Sequence, residues 1–478
     1  MAKPYSLADE PDQLRGFDIG ILPEPDEART RGNGAFNGML QGAAEVAVVA
    51  WRFRVNDEVI RGGHQVTSAF RRLTGCRICG GELRVFLSLG ETPLANAFVA
   101  PDRAAATEQR FPLETARCAE CSLVQLTVVV DPEVLFRDYV YASSASAPLL
   151  PHFDDLAASV ARDFGAPGSL VVEIGSNDGI LLRSLGSRGI RALGVEPATK
   201  IAARANADGL ETLNEFFGVD VADRIREDRG PASAVLGNNV LAHIDDLGSV
   251  LKSLDLLLGD DGVFIAEVPY LQDLLEHVEY DTIYHEHLSY FHLAPLQRLF
   301  TSAGFELFDV VRLPLHGGSV RIHAARAGRR QPSARLRELQ GSEQRSRLAT
   351  DAPYTEFAAK VQRQRTELVA LLRRLKAEGK RLAGYGATAK GNTMLNYCGI
   401  DATVLDYIAD TTPYKHGLLT PGTHIPVVPE SRIAETRPDA MLLLAWNYAD
   451  SIVARHREYL ASGGRFIHPI PEPRIIAS

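Results

Sequence analysis

The sequence predicts an α/β protein with two doubly wound, mostly parallel sheets and a small N-terminal unit that depends on a metal. Two observations predict the sheets: short apolar runs alternate with helical stretches over residues 170–268 and again over residues 381–468. A third observation predicts the metal, because four of the five cysteines form two pairs. The N-terminus has no apolar stretch typical of a signal peptide, so metal ligands are favoured over disulfides.

The size and charge of the chain bound its organisation and its partners. A chain of 478 residues is too long for one ordinary core, which predicts two or three domains. The net charge of -9, without a run of Lys and Arg, argues against nucleic acid and anionic membranes as partners. The apolar run from Ala43 to Trp51 contains Glu45 and is too short to span a bilayer. We therefore expect a cytoplasmic protein, whose oligomeric state the sequence does not define.

Five segments are predicted along the chain. They are an N-terminal extension of unknown role at 1–72, a zinc-binding domain at 73–132, a central α/β domain at 133–330, a helical connection at 331–380 and a C-terminal Rossmann-like domain at 381–478. The extension has little periodicity beyond a predicted strand near Val46 to Val55. The connection places apolar residues on one helical face, namely Phe357, Val361, Leu368, Leu372 and Leu375.

Two CxxC pairs form the predicted zinc site. Cys76 and Cys79 form one pair, and Cys118 and Cys121 form the other. Two thiolates three positions apart present their sulfurs to one ion, and two such pairs complete a tetrahedral shell. The surrounding short strands have too few apolar residues for a core of their own, so the metal would supply stability. A closed shell of four sulfurs predicts a structural role.

A glycine turn follows the first strand of the central domain, at Glu173-Ile-Gly-Ser-Asn-Asp-Gly179. Its acidic residues suit the amino and hydroxyl groups of S-adenosylmethionine (SAM) better than a pyrophosphate, and Glu196 is placed to accept hydrogen bonds from ribose. A plain structural turn and an NAD site remain alternatives. A terminal hairpin, predicted at Phe305–Leu313 and Gly318–Ala325, favours a methyltransferase over a dehydrogenase. The candidate cofactor-binding residues are Glu173, Gly175, Asn177, Asp178, Gly179, Glu196, Pro197, Asn238, Asn239 and His243.

A dense histidine cluster begins at Tyr284-His-Glu-His287 and continues to His292. The pattern could suggest a metal site, but side chains two positions apart diverge on a helix, and the spacing differs from the i, i+4 spacing of a zincin. On an extended segment, His285 and His287 would share a face. Forming a carbon–carbon bond from SAM needs a carbanion, which a neighbouring carbonyl makes accessible as an enolate. A histidine is suited to remove that proton. Structural histidines are the alternative.

A second glycine-rich turn, Gly384-Tyr-Gly-Ala-Thr-Ala-Lys-Gly-Asn392, opens the C-terminal domain. Its small residues and Lys390 suit a phosphate-bearing ligand at a helix N-terminus. An ordinary strand-to-helix turn is the alternative.

Taken in order, these motifs resemble the TDP-sugar C-methyltransferases of deoxysugar and antibiotic biosynthesis, over residues 73–475. The resemblance rests on the two CxxC pairs and on the strings beginning at Asp138 (DYVYASS), Glu173 (EIGSNDG), Tyr284 (YHEHLSYF), His316 (HGGSVR) and Gly384 (GYGATAKGN). It implies a central class I SAM-methyltransferase domain between a zinc-binding domain and a C-terminal Rossmann-like domain. The N-terminal extension has no counterpart in typical family members.

The resemblance also implies roles for individual residues. His287 would be the base, with Glu286 and Tyr284 beside it, in methyl transfer to carbon 3 or carbon 5 of a TDP-4-keto-deoxyhexose. The implied substrate-binding residues are Tyr139 or Tyr141, His292, Arg321, Lys390 and Asn392. Two other functions remain open: a nicotinamide-dependent sugar-nucleotide dehydrogenase or epimerase, and a non-catalytic sugar-nucleotide-binding protein.

Overall fold

A computed structural model describes residues 70–136 and 149–477. The predicted strand near Val46 to Val55 and the candidate residues Tyr139 and Tyr141 lie outside the described residues. Within the described part of the chain, no helix is both long and apolar enough to cross a membrane.

The N-terminal region is built from short antiparallel strands. They are β1 (Phe70–Arg72), β2 (Leu83–Thr92), β3 (Phe111–Cys118), β4 (Val124–Leu126) and β5 (Val128–Val130), followed by α1 (Pro132–Phe136). Strand β5 pairs with β1 alone, whereas β2, β3 and β4 form a sheet that a later strand completes next to β4. Because that later strand comes from the central part of the chain, the two regions are joined by a shared sheet.

The central region alternates strands and helices as predicted. Its elements are α2 (Leu149–Asp163), β6 (Leu170–Ile174), α3 (Ile180–Gly186), β7 (Arg191–Val195), α4 (Thr199–Ala207), β8 (Thr212–Leu213), α5 (Val219–Arg229), β9 (Ala232–Asn238), α6 (Leu247–Leu257), β10 (Leu258–Pro269), α7 (Leu271–Glu276), β11 (Ser289–Tyr290), α8 (Leu293–Thr301), β12 (Phe305–Leu313) and β13 (Ser319–Arg326). Strand β11 is the one that joins the N-terminal sheet, where Ser289 lies opposite Gln125 of β4.

Seven strands form the central sheet in the order β12-β13-β10-β9-β6-β7-β8. The five strands from β10 to β8 are parallel, and β12 and β13 add an antiparallel pair, which confirms the predicted terminal hairpin. All five residues of β6 are buried, as expected for a parallel strand covered by helices on both faces. The carboxyl ends of β6, β7, β9 and β10 therefore meet at one edge, where ligands of such sheets bind.

Two helices follow, α9 (Ala334–Arg345) and α10 (Ala352–Ala377). The five apolar residues predicted to share one face of α10 are all buried, together with Tyr354. They belong to the same hydrophobic cluster as residues of β2 and of the C-terminal sheet, so α10 packs between these regions.

The C-terminal region has a second α/β sheet. Its elements are β14 (Leu382–Tyr385), α11 (Ala389–Cys398), β15 (Ile408–Asp410), β16 (Val427–Pro429), α12 (Ser431–Thr436), β17 (Ala440–Leu443), α13 (Ala449–Arg455), α14 (Arg457–Ala461), β18 (Arg465–His468) and β19 (Arg474–Ile476). The strand order is β16-β15-β14-β17-β18-β19, and only β19 runs antiparallel. The order reverses on either side of β14, which places a crevice at the turn after that strand. The bounds of the five predicted segments stay predictions.

Candidate active site

The four paired cysteines converge in the N-terminal region. Their sulfur atoms all lie within 4.8 Å of one another, and the Cys76–Cys121 and Cys79–Cys118 Sγ distances are both 3.5 Å. Four sulfurs at tetrahedral positions about 2.3 Å from zinc would be about 3.8 Å apart, so the spacing fits. An added Cβ at Gly81 would lie 3.0 Å from Cys118 Sγ, which explains a glycine beside the cluster. The donor set thus fits a closed structural zinc site.

The first glycine turn lies at the carboxyl end of β6. Gly175 and Gly179 both have positive φ, at 65° and 76°, and so does Asn177, at 50°. An added Cβ at Gly175 would lie 2.5 Å from Val240, so only glycine lets the turn pass the segment that follows β9. The sharp turn brings β6 directly into α3, whose N-terminus faces the carboxyl edge of the sheet.

Three buried carboxyl groups surround this turn: Glu173, Asp178 and Glu196. Glu196 follows β7, and its oxygens accept hydrogen bonds from the backbone N–H groups of Asn177 (2.9 Å) and Ala198 (2.8 Å). Burial, with the nearby charges of Glu196 and Asp178, raises the pKa of Glu173 well above its usual range. Burial also raises the pKa of Glu196. Amino and hydroxyl donors of a ligand would stabilise the charged forms of Glu173 and Glu196.

The end of β9 contributes buried polar atoms to the same edge. The Asn238 amide interacts with the Glu173 carboxyl group, but in the described part of the chain no hydrogen bond of good geometry satisfies the Asn238 amide or Glu173 Oε2. Buried polar groups normally find partners, so these atoms fit a polar ligand such as SAM. Asn239, with φ of 55°, is held by its N–H to the carbonyl of Glu267 (2.8 Å), and the Pro197 carbonyl accepts from Asn214 (3.0 Å).

The histidine cluster is tied to this edge through backbone contacts. The Leu288 N–H donates to the carbonyl of Ala242 (2.8 Å), within a short helix formed by Leu241–His243 just after β9. The rings of His243 and His287 lie 5.0 Å apart between centroids. Strand β11 begins directly afterwards and joins the N-terminal sheet, so the segment is anchored on both sides.

The imidazole of His287 has a defined tautomer. Its Nδ1 lies 2.8 Å from the carbonyl oxygen of Thr282, which can only accept, so Nδ1 carries the proton. Nε2 then accepts from the Tyr284 hydroxyl at 2.8 Å. Burial and the neighbouring His243 hold the pKa of His287 well below its usual range. The ring is therefore neutral near pH 7, and its Nε2 lone pair accepts a hydrogen bond from the Tyr284 hydroxyl.

His285 points away from His287. The segment turns, since the His287 N–H bonds back to the Tyr284 carbonyl (2.9 Å), and His285 and His287 do not share a face. His285 donates to the Pro112 carbonyl (3.2 Å) and packs against Phe111 of β3. The side chains of His285 and His287 would share a face only on an extended segment, and here the chain turns. His285 thus contributes to packing against the N-terminal sheet.

Glu286 is buried, and burial raises the pKa of its carboxyl group to about 7. Its Oε1 accepts from Asn96 Nδ2 at 2.7 Å. Asn96 is exposed and belongs to the loop after β2, so a residue of the N-terminal region holds the buried carboxyl group of Glu286. Sequence reasoning missed Asn96, because its partner lies 190 positions away and a lone asparagine in a loop has no distinctive pattern.

The second glycine turn reaches the same cluster from the C-terminal region. Lys390 Nζ donates to the His316 carbonyl (2.6 Å) and lies 3.7 Å from Glu279 Oε2. The amide of Asn392 donates to the Ala95 carbonyl (2.7 Å), next to Asn96. The structure therefore brings Lys390 and Asn392 to the region of His287 and Glu286, and gives both of them internal partners.

Two other candidates pair inside the protein. Arg321 Nε donates to Glu267 at 2.7 Å. Glu267 also lies 2.8 Å from His152 Nε2, and sequence reasoning identified neither Glu267 nor His152. His292 bonds through Nδ1 to Glu343 (3.0 Å) and through Nε2 to the Ser122 hydroxyl (3.1 Å). With both ring nitrogens so engaged, a sugar contact for His292 is not supported. Arg321 remains at the carboxyl edge, in register with Glu267 of β10.

Comparison with known proteins places these motifs in one family. Three family models match in succession: "Putative zinc binding domain" at residues 76–136, "Methyltransferase domain" at 152–310 and "C-methyltransferase C-terminal domain" at 314–471. The C-methyltransferase NovU of Streptomyces niveus is 40% identical over 412 residues, which cover 85% of this chain and 98% of NovU. The chain belongs to the TDP-sugar C-methyltransferase family. It is an enzyme that uses SAM to methylate carbon, with a zinc-binding N-terminal region.

Family membership confirms the predicted fold class, enzyme class and cofactors, SAM and zinc. It removes support from the dehydrogenase and from the non-catalytic binding protein. The roles of individual residues stay predictions.

Two solved methyltransferases each match about two fifths of the chain. The magnesium protoporphyrin IX methyltransferase of Synechocystis PCC 6803, with bound SAM, is 16% identical and covers 37% of this chain and 80% of its own, with a TM-score of 0.29. The CcbJ methyltransferase of Streptomyces caelestis is 14% identical, covers 41% of this chain and 96% of its own, and has a TM-score of 0.31.

Proposed function

We propose that this C-methyltransferase acts on a TDP-4-keto-deoxyhexose and forms an enolate before methyl transfer. Carbon 3 is the favoured position, and carbon 5 is the alternative because it is equally adjacent to the ketone. The observation that supports this proposal is the neutral imidazole of His287, whose Nε2 carries the lone pair and whose neighbour Leu288 bonds to Ala242, just after β9. A carbon acceptor needs a base of this kind, because an unactivated C–H group is not a nucleophile.

In the proposed reaction, the ketone acidifies the hydrogen on its neighbouring carbon. His287 Nε2 takes that proton, and the electron pair of the broken C–H bond spreads onto the ketone oxygen. Tyr284, whose hydroxyl now meets Nε2, would turn toward the substrate or exchange its partner at this step. The Nδ1 bond to the Thr282 carbonyl fixes the ring plane and stabilises the imidazolium that results.

Bound SAM supplies an electrophilic methyl group on a sulfonium centre. The enolate carbon forms a bond to that methyl as the methyl–sulfur bond breaks, which leaves the C-methyl sugar, S-adenosylhomocysteine and a proton on His287. Glu286, with its pKa raised to about 7, is protonated in part of the molecules at neutral pH. In that form it can donate a hydrogen bond to the oxygen that bears the enolate charge.

The proposed function is tested by turnover with defined acceptors. The purified enzyme, SAM and either TDP-4-keto-6-deoxyglucose or its 2,6-dideoxy analogue should yield a product heavier by one methyl substitution, detected by mass spectrometry. Proton and carbon NMR of the product then locate the new carbon–carbon bond at carbon 3 or carbon 5. TDP-6-deoxyglucose, with a hydroxyl in place of the ketone, is the matched control and should not turn over. Methylation of that control, or methylation on oxygen, would contradict the enolate mechanism.

A further inference from the structure

Lys390, near the start of α11, extends into the interior of the protein. Its side chain is only 13% exposed. The ammonium group donates to the His316 carbonyl at 2.6 Å, lies 3.7 Å from Glu279 Oε2, and sits 5.0 Å from the centre of the Trp446 ring. A carbonyl, a carboxylate and an aromatic face therefore already surround the cation. A pyrophosphate would have to displace these partners to bind it.

The same ammonium acts electrostatically on His287. The groups that influence His287 come from several elements: His243 from the short helix after β9, His316 from the turn between β12 and β13, and Lys390 from α11. Burial, His243, Lys390 and His316 all lower the pKa of His287, while its bond to the Thr282 carbonyl raises it. On its own segment, the Tyr284 hydroxyl meets Nε2, and Glu286 pairs with Asn96. The positive charge of Lys390 thus opposes protonation of the ring.

The buried acidic neighbours of Lys390 complete this arrangement. Asp281 is fully buried, and its Oδ2 accepts from Trp446 Nε1 at 2.6 Å. Burial raises the pKa of Asp281 to about 6, and the charge of Lys390 opposes that shift. Trp446 connects Lys390 to Asp281, because its ring lies beside the ammonium group and its Nε1 donates to Asp281. Asp281 belongs to the short helix Tyr280–Thr282, and the Thr282 carbonyl of that helix orients His287.

We propose that Lys390 is a positioning residue for the base and not a ligand of the nucleotide phosphates. Held by the His316 carbonyl and Glu279, its positive charge adds to burial and to the His243 ring in keeping the imidazole of His287 neutral. This inference rests on the proposed function, in which His287 is the base. It assigns the second glycine-rich turn to control of the reaction, through a contact between the C-terminal region and the central region.

The test is the pH dependence of kcat/KM with SAM and TDP-4-keto-6-deoxyglucose. In Lys390→Met, loss of the charge should move the acidic limb of the profile to higher pH, because the base protonates more readily. On that limb, each pH unit of displacement lowers the rate about tenfold. The KM for the sugar nucleotide should change by less than about threefold, since no phosphate contact is lost. Lys390→Arg retains the charge and should keep the wild-type limb.

Two further variants make the result decisive. Lys415→Met removes another partly buried lysine of the same region, whose Nζ donates to the Ala387 carbonyl, and should leave the limb unchanged. Glu279→Gln removes the carboxylate beside Lys390 and should move the limb to lower pH. Thermal unfolding and SAM titration confirm that each variant is folded. A large rise in KM with an unmoved limb in Lys390→Met would overturn the proposal and favour phosphate binding.

Failure of the proposed function gives a different result. If His287→Ala kept wild-type turnover, the assignment of the base would be wrong, whatever the Lys390 variants showed. An acidic limb that moves in Lys390→Met while His287→Ala is inactive supports both assignments.

Discussion

Replacement of His287 by alanine is expected to lower kcat by about 10²- to 10⁴-fold, the usual contribution of a positioned general base. The physical reason is the loss of the Nε2 lone pair, which the Thr282 carbonyl and the Tyr284 hydroxyl orient in the structure. Binding of SAM and of the sugar nucleotide should persist. The measurement is the initial rate of C-methyl product by mass spectrometry, with both dissociation constants from titration calorimetry.

His424→Ala is a matched control for this prediction. His424 also has a hydrogen-bonded imidazole, but its partner is Glu108, and no part of the proposed reaction involves it. Turnover of His424→Ala should stay close to that of the wild type. If His287→Ala retained more than about a tenth of the wild-type rate, the decrease in rate would be smaller than the contribution of a general base. Another group would then have to remove the proton.

Removal of zinc is the change expected to cost most stability. Structural zinc supplies on the order of 10 kcal/mol in small zinc domains, which is comparable to the whole free energy of unfolding of a typical domain. A strong chelator, or Cys118→Ser, should therefore unfold the N-terminal region. Because β11 begins two residues after His287 and pairs with β4, turnover should fall when the N-terminal region unfolds. Metal analysis, a thermal unfolding scan and the turnover assay together check this expectation.

Cys398→Ser is the control for the zinc prediction. Cys398 is buried in the C-terminal region, where its sulfur lies 3.5 Å from the Tyr280 hydroxyl. This variant should keep one zinc per chain and lose only a modest part of its stability. Full activity and an unchanged unfolding temperature in Cys118→Ser, or in the metal-free enzyme, would contradict a structural zinc site.

The sequence predicted features that local patterns determine. Short apolar runs such as Leu170–Ile174, interrupted only by Glu173, became buried parallel strands, and the apolar stripe along α10 became its buried face. The two CxxC pairs converged despite the long stretch between them, because thiolate pairs of this spacing are distinctive. The comparisons confirmed the resemblance to the family. The substrate and the residue roles that the resemblance implies stay proposals.

Contacts between distant segments could not be predicted. His287 is oriented by the backbone carbonyl of Thr282, and Lys390 by that of His316; every residue has such a carbonyl, so no side-chain pattern marks it. The contact between Glu286 and Asn96 depends on β11 joining the N-terminal sheet, a pairing of only two residues. The internal partners of His292 likewise became visible only in three dimensions.

The central claim is that His287 generates an enolate, and hydrogen–deuterium exchange tests it most directly. TDP-4-keto-6-deoxyglucose is incubated in deuterium oxide with the enzyme and S-adenosylhomocysteine, which cannot donate a methyl group. After subtraction of the exchange without enzyme, the wild type should place deuterium on one carbon next to the ketone, and His287→Ala should place almost none. Equal exchange by the two proteins, or none with the wild type while it methylates the same sugar, would contradict the account.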